Sequence, residues 1–204
     1  MRPAIASSIV LLLCFAYAVA RYVVFGEVSP DHLGVFIMNK ALSLAGLLLI
    51  ALAVGARPIS RVLPAAGWLR EDRRAIGMAG LGYAGIHTVL SLMLLGPGYF
   101  AKFYDTQSGL MTAAAEWSML AGAVALALLI WQSRINGGAQ GNASAQRRWL
   151  GTGVLALALA HVGFMGWPGW WTPNTWPGGL PPITLLSAAV ALLGVALGLL
   201  PRRG

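Results

Sequence analysis

The chain has 204 residues, of which 58% are hydrophobic and only 10% are charged, and its formal net charge is +8. With a mean hydropathy of +0.73, this composition excludes an ordinary soluble domain and is typical of a multi-span membrane protein. The single cysteine, Cys14, excludes an intrachain disulfide and a CxxC redox pair.

Six apolar runs are close to the length of about 20 residues that a helix needs to cross a bilayer. In chain order they lie near 5–25, 34–55, 75–95, 112–132, 149–166 and 182–200. The first run lacks a convincing small-residue cleavage site, so we interpret it as a membrane helix rather than a signal peptide. The sequence therefore predicts one all-α transmembrane domain over residues 1–204, a bundle of six helices.

The arginines predict the orientation of this bundle. Nearly all of them lie at the chain ends or in the second-to-third and fourth-to-fifth connections, which share one side of a six-helix bundle. Cytoplasmic loops carry an excess of Lys and Arg, so both termini are predicted to be cytoplasmic. The basic charge thus indicates topology, and no nucleic acid is expected as a partner.

The two inner connections differ in character. The segment RPISRVLPAAGWLREDRR is basic and partly amphipathic, which favours a loop lying on the membrane surface against anionic lipid. The segment SRINGGAQGNASAQRR is rich in small and polar residues, which predicts a flexible connector.

Tryptophan is concentrated at the outer boundary, above all in GWPGWWTPNTWPGGLPP between the last two spans. Five of the eight tryptophans are predicted at this outer boundary: Trp117, Trp167, Trp170, Trp171 and Trp176. An interfacial aromatic belt is the simple interpretation. A docking surface for a partner redox protein or membrane complex is the alternative.

Two stretches place a histidine in the same way. RRAIGMAGLGYAGIH ends at His87 in the third span, and RRWLGTGVLALALAH ends at His161 in the fifth span. Both spans run outward from the inner side, and a thirteen-residue spacing from the arginine pair raises each imidazole by about 20 Å. The histidines are therefore predicted at one depth in the outer half of the bilayer. Ionisable groups there face the bundle interior and indicate function, and two facing imidazoles can bind haem iron.

Other residues near the pair are ambiguous. The glycines that precede each histidine would let a porphyrin approach the backbone, but they would equally let two helices pack without a cofactor. Two histidines that only hydrogen-bond across helix interfaces are the alternative to a haem site. A haem propionate would need a partner such as Arg21 or Lys40 near the outer ends of the first two spans, although each is also interpretable as a snorkelling residue. His32 is expected to be a surface or capping residue.

The two histidine-bearing stretches resemble the ferric-reductase-like transmembrane domain superfamily. That superfamily includes ferric reductases, NADPH oxidases and the membrane haem subunit of the bacterial periplasmic methionine sulfoxide reductase system. The resemblance covers roughly residues 40–200 in layout and is specific over the two stretches. It implies a b-type haem bound through His87 and His161 between the third and fifth spans.

The sequence also departs from that pattern. Family members with two haems carry a second histidine roughly four turns earlier on each helix. Here those positions hold Arg73 or Arg74 and Arg147 or Arg148, which implies that only the outer haem is kept. The sequence ends at LLPRRG without a GxGxxG motif, so we expect no flavin and nicotinamide domain like that of ferric reductases and oxidases.

The resemblance implies a b-type cytochrome-like electron-transfer subunit with one bis-histidine haem, in a bacterial inner membrane. Its electrons would come from a membrane quinol, from a flavin bound at the inner loops, or from a partner protein. A cofactor-free structural or assembly subunit and a small transporter are the other hypotheses. No soluble-enzyme motif occurs, and whether the chain is an oxidoreductase subunit is left open.

Overall fold

The computed structural model describes residues 2–134 and 141–200, and helices dominate that part of the chain. Six helices are long and apolar enough to cross a membrane, which confirms the predicted all-α six-helix membrane bundle. A seventh helix, α3, is a single turn on the inner side, so the third and fifth predicted spans are α4 and α6. The helices are α1 Arg2–Val19, α2 Met38–Val62, α3 Trp68–Glu71, α4 Arg73–Met93, α5 Ala113–Arg134, α6 Gly141–Trp170 and α7 Ile183–Leu199.

Two helices run further than the apolar runs predicted. α2 continues through Pro58 and α6 through Pro168. Proline disrupts a helix by removing one N–H donor and crowding the preceding turn, and each proline lies within the last two turns of its helix. Each helix nevertheless continues for at least two residues beyond its proline, so proline does not mark the boundary.

The inner connections are more ordered than expected. The segment predicted to be a surface loop after residue 57 forms the end of α2, a 3₁₀ turn at Pro64–Ala66 and α3. The segment predicted to be a flexible connector is helical from residue 141, where α6 begins. Residues 135–140, which belong to the same prediction, lie outside the described part of the chain.

α2 is the central helix of the bundle. It packs against α1, α4, α6 and α7, and it contributes buried residues to each of three apolar clusters. It approaches α4 closely at Gly46 and Gly80, where a Cβ built on Gly80 would lie 3.0 Å from the Gly46 carbonyl oxygen. Glycine at this position therefore allows the two backbones to touch.

Four helices close a ring around the centre of the bundle. α2 packs against α4, α4 against α5, α5 against α6, and α6 against α2. Within the described residues, neither α4 with α6 nor α2 with α5 makes an extensive contact. The two histidine-bearing helices therefore lie diagonally across this ring.

The outer connections are folded against the helices. In the α4–α5 connection Asp105 accepts hydrogen bonds from the backbone N–H of Ser108 (2.8 Å) and Gln107 (3.1 Å), which hold the pKa of its carboxyl below the usual range. In the α6–α7 connection Gly178 has a φ of +59°, and a Cβ there would meet the ring of Phe25. The first contacts order the α4–α5 connection internally, and the second joins the α6–α7 connection to the end of the first span.

Candidate functional site

His87 is held by the first turn of α2. Its Nδ1 atom lies 2.7 Å from Oδ1 of Asn39, a residue that is only 1% exposed. The Asn39 amide nitrogen donates to Ser91 Oγ at 3.0 Å, so the amide oxygen is the atom that faces the imidazole. Because an amide oxygen only accepts hydrogen bonds, the imidazole carries its proton on Nδ1 and donates it.

His161 is held in the same way by the first turns of α5. Its Nδ1 donates to the Ser118 carbonyl oxygen at 2.7 Å, and Ser118 Oγ donates in return to the His161 carbonyl oxygen at 2.7 Å. The ring lies directly on Gly122, where a Cβ would be 2.9 Å from Nδ1. A carbonyl oxygen and a glycine of α5 therefore set the position of this imidazole.

The two histidines thus share one arrangement. α4 and α6, which carry the histidines, cross the bundle in one direction, and each histidine donates its Nδ1 proton to an oxygen from the first turns of a helix that crosses in the opposite direction. Within residues 2–134 and 141–200, no hydrogen bond involves Nε2 of either ring. A neutral imidazole whose Nδ1–H is held by a carbonyl oxygen keeps its Nε2 lone pair for a ligand, and metal-binding histidines are typically held this way.

The bundle brings the two imidazoles together. They lie within electrostatic reach of each other, although α4 and α6 do not pack together. Both histidines are only partly accessible. Two neutral imidazoles with free Nε2 atoms on diagonal helices could hold the iron of a haem, which would supply one-electron redox chemistry. The residues present therefore fit such a group.

Lys40 is the cation closest to the pair. Its ammonium lies within electrostatic reach of both histidines and packs 5.0 Å from the ring centre of Phe36 and 5.2 Å from that of Phe100. No carboxylate in the described part of the chain forms an ion pair with it. Lys40 is thus a cation without an anionic partner at the outer side of the site.

Arg21 and His32 lie elsewhere. Arg21 is buried at the end of the first span, donates through Nη1 to the Leu180 carbonyl oxygen, and has no contact with either histidine among the described residues. Its Nε atom is buried without a partner in that same part of the chain. His32 is exposed and packs edge-on against Tyr99, in agreement with a surface role.

Comparisons with known proteins add no relative: the chain matches no protein-family model, and no curated protein is similar to it. The predicted likeness to the ferric-reductase-like superfamily is therefore neither supported nor opposed by them. The argument for function depends on the geometry of the site.

Three residues of the site were missed by the sequence analysis: Asn39, Ser118 and Gly122. Asn39 and Ser118 lie 48 and 43 positions from the histidines they hold. Each is a small polar residue near the start of an apolar run, a place where polar residues are common without any function. The one usable signal was that Asn39 carries a side-chain amide inside a predicted span, where unpaired polar groups are costly.

The glycines near the histidines have divided roles. Gly80 and Gly77 of α4 face α2, and Gly151 of α6 faces Val54 and Gln132. Those three serve helix packing, which was the alternative to a close approach by a porphyrin. Gly82, Gly85 and Gly153, in contrast, have no atom within 4 Å of a built Cβ.

Proposed function

We propose that the protein is a b-type cytochrome-like electron-transfer subunit that binds one haem between α4 and α6, with His87 and His161 as the axial ligands. The observation that carries this proposal is the matched anchoring of the two imidazoles, each through Nδ1. Both rings keep Nε2 for a ligand and come together from helices that do not pack on each other. On this proposal the chain is a single-haem member of the ferric-reductase-like superfamily.

The anchoring oxygens would support ligation. A hydrogen bond from Nδ1–H to a carbonyl oxygen fixes the ring orientation and makes Nε2 a stronger donor to a metal. A haem held by His87 and His161 would supply one-electron redox chemistry. The role of this chain is then to hold and orient the group and to exclude water from it.

Lys40 is the proposed partner of a haem propionate. It is a cation next to both histidines, it has no carboxylate partner in the described part of the chain, and two aromatic rings restrict its position. Arg21 was the other candidate, and its guanidinium already donates to the loop before α7. It keeps a proposed secondary role at the outer edge of the bundle.

The electron route is proposed from the location of the site. A haem in the outer half would receive electrons from a membrane quinol or from a flavin, bound at the inner loops or supplied by a partner. It would pass them to a partner redox protein or membrane complex on the outer face, where Trp117, Trp167 and Trp171 are exposed. The proposed location is a bacterial inner membrane.

The test is a dithionite-reduced minus oxidised absorbance spectrum of the detergent-purified protein, with haem quantified as the pyridine haemochrome. We expect b-type bands at about one haem per chain, lost in both His87→Ala and His161→Ala because each removes an axial ligand. His32→Ala is the matched control, since His32 is exposed and outside the site. It should keep the full haem content. A folded, colourless wild-type protein after expression with ample haem would contradict the proposal.

A structural or assembly subunit without a cofactor is the second candidate. It is favoured by the fact that both histidines join neighbouring helices, α4 to α2 and α6 to α5, as they would in a bundle without haem. The spectrum separates the two candidates. A structural role predicts that His87→Ala lowers the unfolding temperature while the wild-type protein contains no haem.

A further inference from the structure

A second polar site lies at the opposite end of the bundle from the histidines. At the inner end of α2, Arg57, Ser60 and Arg61 lie on one helix face at a spacing of three and four residues. Arg70 of α3 faces them across a cleft of about 250 Å³ that these four residues line. The second wall of the cleft exists because Trp68–Glu71 forms the helix α3, which the sequence analysis did not predict.

The lining of this cleft suits a phosphate group. Three guanidinium groups and a hydroxyl line it, and no acidic side chain does. Arg57 and Arg70 form no ion pair within the described part of the chain, although Glu71 and Asp72 directly follow Arg70 in sequence. Guanidinium groups bind phosphate oxygens through paired, charge-assisted hydrogen bonds.

The surface beside the cleft is apolar. Val62 and Leu63, which directly follow the arginine-bearing turn, are 80% and 58% exposed. Exposed aliphatic side chains at the inner membrane boundary can contact acyl chains, while arginines at the same level contact headgroups. A bound phospholipid would require such an apolar surface beside a basic cleft. The residues that line the cleft, however, recognise only the phosphate group.

We infer that the cleft between α2 and α3 is a binding site for a phosphate group, with Arg57 and Arg70 as its principal ligands. The group belongs either to an anionic phospholipid of the inner leaflet or to a soluble phosphate compound. This site is independent of the histidine pair, because it lies on the other side of the bilayer and shares no residue with it.

The experiment has two arms, both with the full chain. In the first, the protein is placed in nanodiscs of mixed phosphatidylglycerol and phosphatidylcholine, and native mass spectrometry counts the lipids retained on ejection. In the second, inorganic phosphate is titrated into the protein in pure phosphatidylcholine nanodiscs by calorimetry. The variants are the double variant Arg57→Gln/Arg70→Gln, Arg57→Lys, and the control Arg134→Gln, an exposed inner arginine outside the cleft.

We expect the wild-type protein to retain one phosphatidylglycerol in preference to phosphatidylcholine. An arginine near anionic lipid contributes about 1 kcal/mol, so affinity should fall about fivefold per removed guanidinium and about thirtyfold in the double variant. Arg57→Lys should show a partial loss, because lysine keeps the charge but not the paired hydrogen bonds. Arg134→Gln should match the wild type.

The arms separate the sources and can overturn the inference. Selective retention of phosphatidylglycerol that depends on the cleft identifies a lipid, and saturable binding of inorganic phosphate that depends on the cleft identifies a soluble compound. If the wild-type protein binds neither, there is no site. If Arg134→Gln lowers binding as much as the double variant does, the attraction is diffuse and the inference is wrong. The haem spectrum is not expected to change in any of these variants.

Discussion

The shortest hydrogen bond of each imidazole goes to a buried oxygen, but the two oxygens differ in kind. His161 is held by the backbone carbonyl of Ser118, which no substitution removes. His87 is held at 2.7 Å by the side-chain amide of Asn39, which in turn donates to Ser91, and at 3.3 Å by the backbone carbonyl oxygen of Asn39. Asn39 is therefore the residue through which the anchoring of an imidazole can be tested without changing the imidazole itself.

We predict that Asn39→Ala destabilises the protein by about 1–3 kcal/mol, because the Nδ1–H of His87 loses its 2.7 Å acceptor in a buried place and keeps only the longer contact with the backbone carbonyl of residue 39. If haem is bound, its affinity should also fall by roughly 10- to 100-fold, the usual effect of removing the group that orients a ligating histidine. Thermal unfolding in detergent and haem titration measure the two effects.

Ser43→Ala is the control for Asn39→Ala. Ser43 lies one turn further along α2, and its hydroxyl donates only to the carbonyl oxygen of Lys40 in the same helix. Its loss should change stability by less than about 0.5 kcal/mol. Equal effects of the two substitutions would show that the link from Asn39 to His87 has no special importance.

At the scale of the elements, the contact between α2 and α4 determines where His87 meets Asn39. The two backbones approach closely at Gly46 and Gly80, two turns below His87 on α4. Gly82 lies only two residues further along α4, is exposed and has open space where a Cβ would be. The two α4 glycines therefore differ in environment while sharing one helix.

We predict opposite effects for alanine at these positions. Alanine is favoured over glycine in a helix by about 1 kcal/mol, so Gly82→Ala should be neutral or stabilising. In Gly80→Ala the new Cβ would lie 2.9 Å from Ile50 Cγ1 and 3.0 Å from the Gly46 carbonyl oxygen, and the backbone oxygen cannot move aside. Overpacking of this kind costs about 1–3 kcal/mol, so the substitution should destabilise the protein.

Thermal unfolding of the two glycine variants under one set of conditions is the measurement. A higher unfolding temperature for Gly80→Ala than for Gly82→Ala would contradict the close helix contact. The haem content of Gly80→Ala gives a second readout, because separating α4 from α2 would also pull His87 away from Asn39.

For the whole molecule, the main feature is a ring of four helices whose diagonal members carry the candidate ligands. The cleft between α2 and α3 and the histidine pair lie at opposite ends of the bundle, and α2 contributes residues to both. The six spans place both chain ends on one side of the membrane. The arginine distribution predicts that this side is the cytoplasm.

Single-cysteine labelling tests that orientation. The native Cys14 is buried, so its background labelling should be low. Thr106→Cys in the outer α4–α5 connection and Ala65→Cys in the inner 3₁₀ turn are both at exposed positions. In intact spheroplasts a membrane-impermeant maleimide should label Thr106→Cys at once and Ala65→Cys only after permeabilisation. The reverse order would show that the bundle is inserted the other way round.

The architecture could be predicted from the sequence alone, and so could the two histidines as candidate ligands. The number of spans follows from the length of the apolar runs, because a bilayer of fixed thickness requires each run to form a helix. Equal spacing to their arginine pairs on parallel helices predicts a common depth for His87 and His161. Helix ends were less predictable, since Pro58 and Pro168 lie where a helix tolerates them.

The residues that surround those histidines could not be predicted from the sequence and are known only from the tertiary structure. The contacts around them join residues that are distant in sequence or on different helices. They are the hydrogen bonds of the two imidazoles to Asn39 and Ser118 and the contact of Gly122 with His161. The same is true of Arg57 and Arg70, which line one cleft. Periodicity describes which face of a helix is apolar, but it carries no information about which other helix packs against that face. The partners of a polar group in a membrane bundle are set by that packing, and so they become visible only when the helices are assembled.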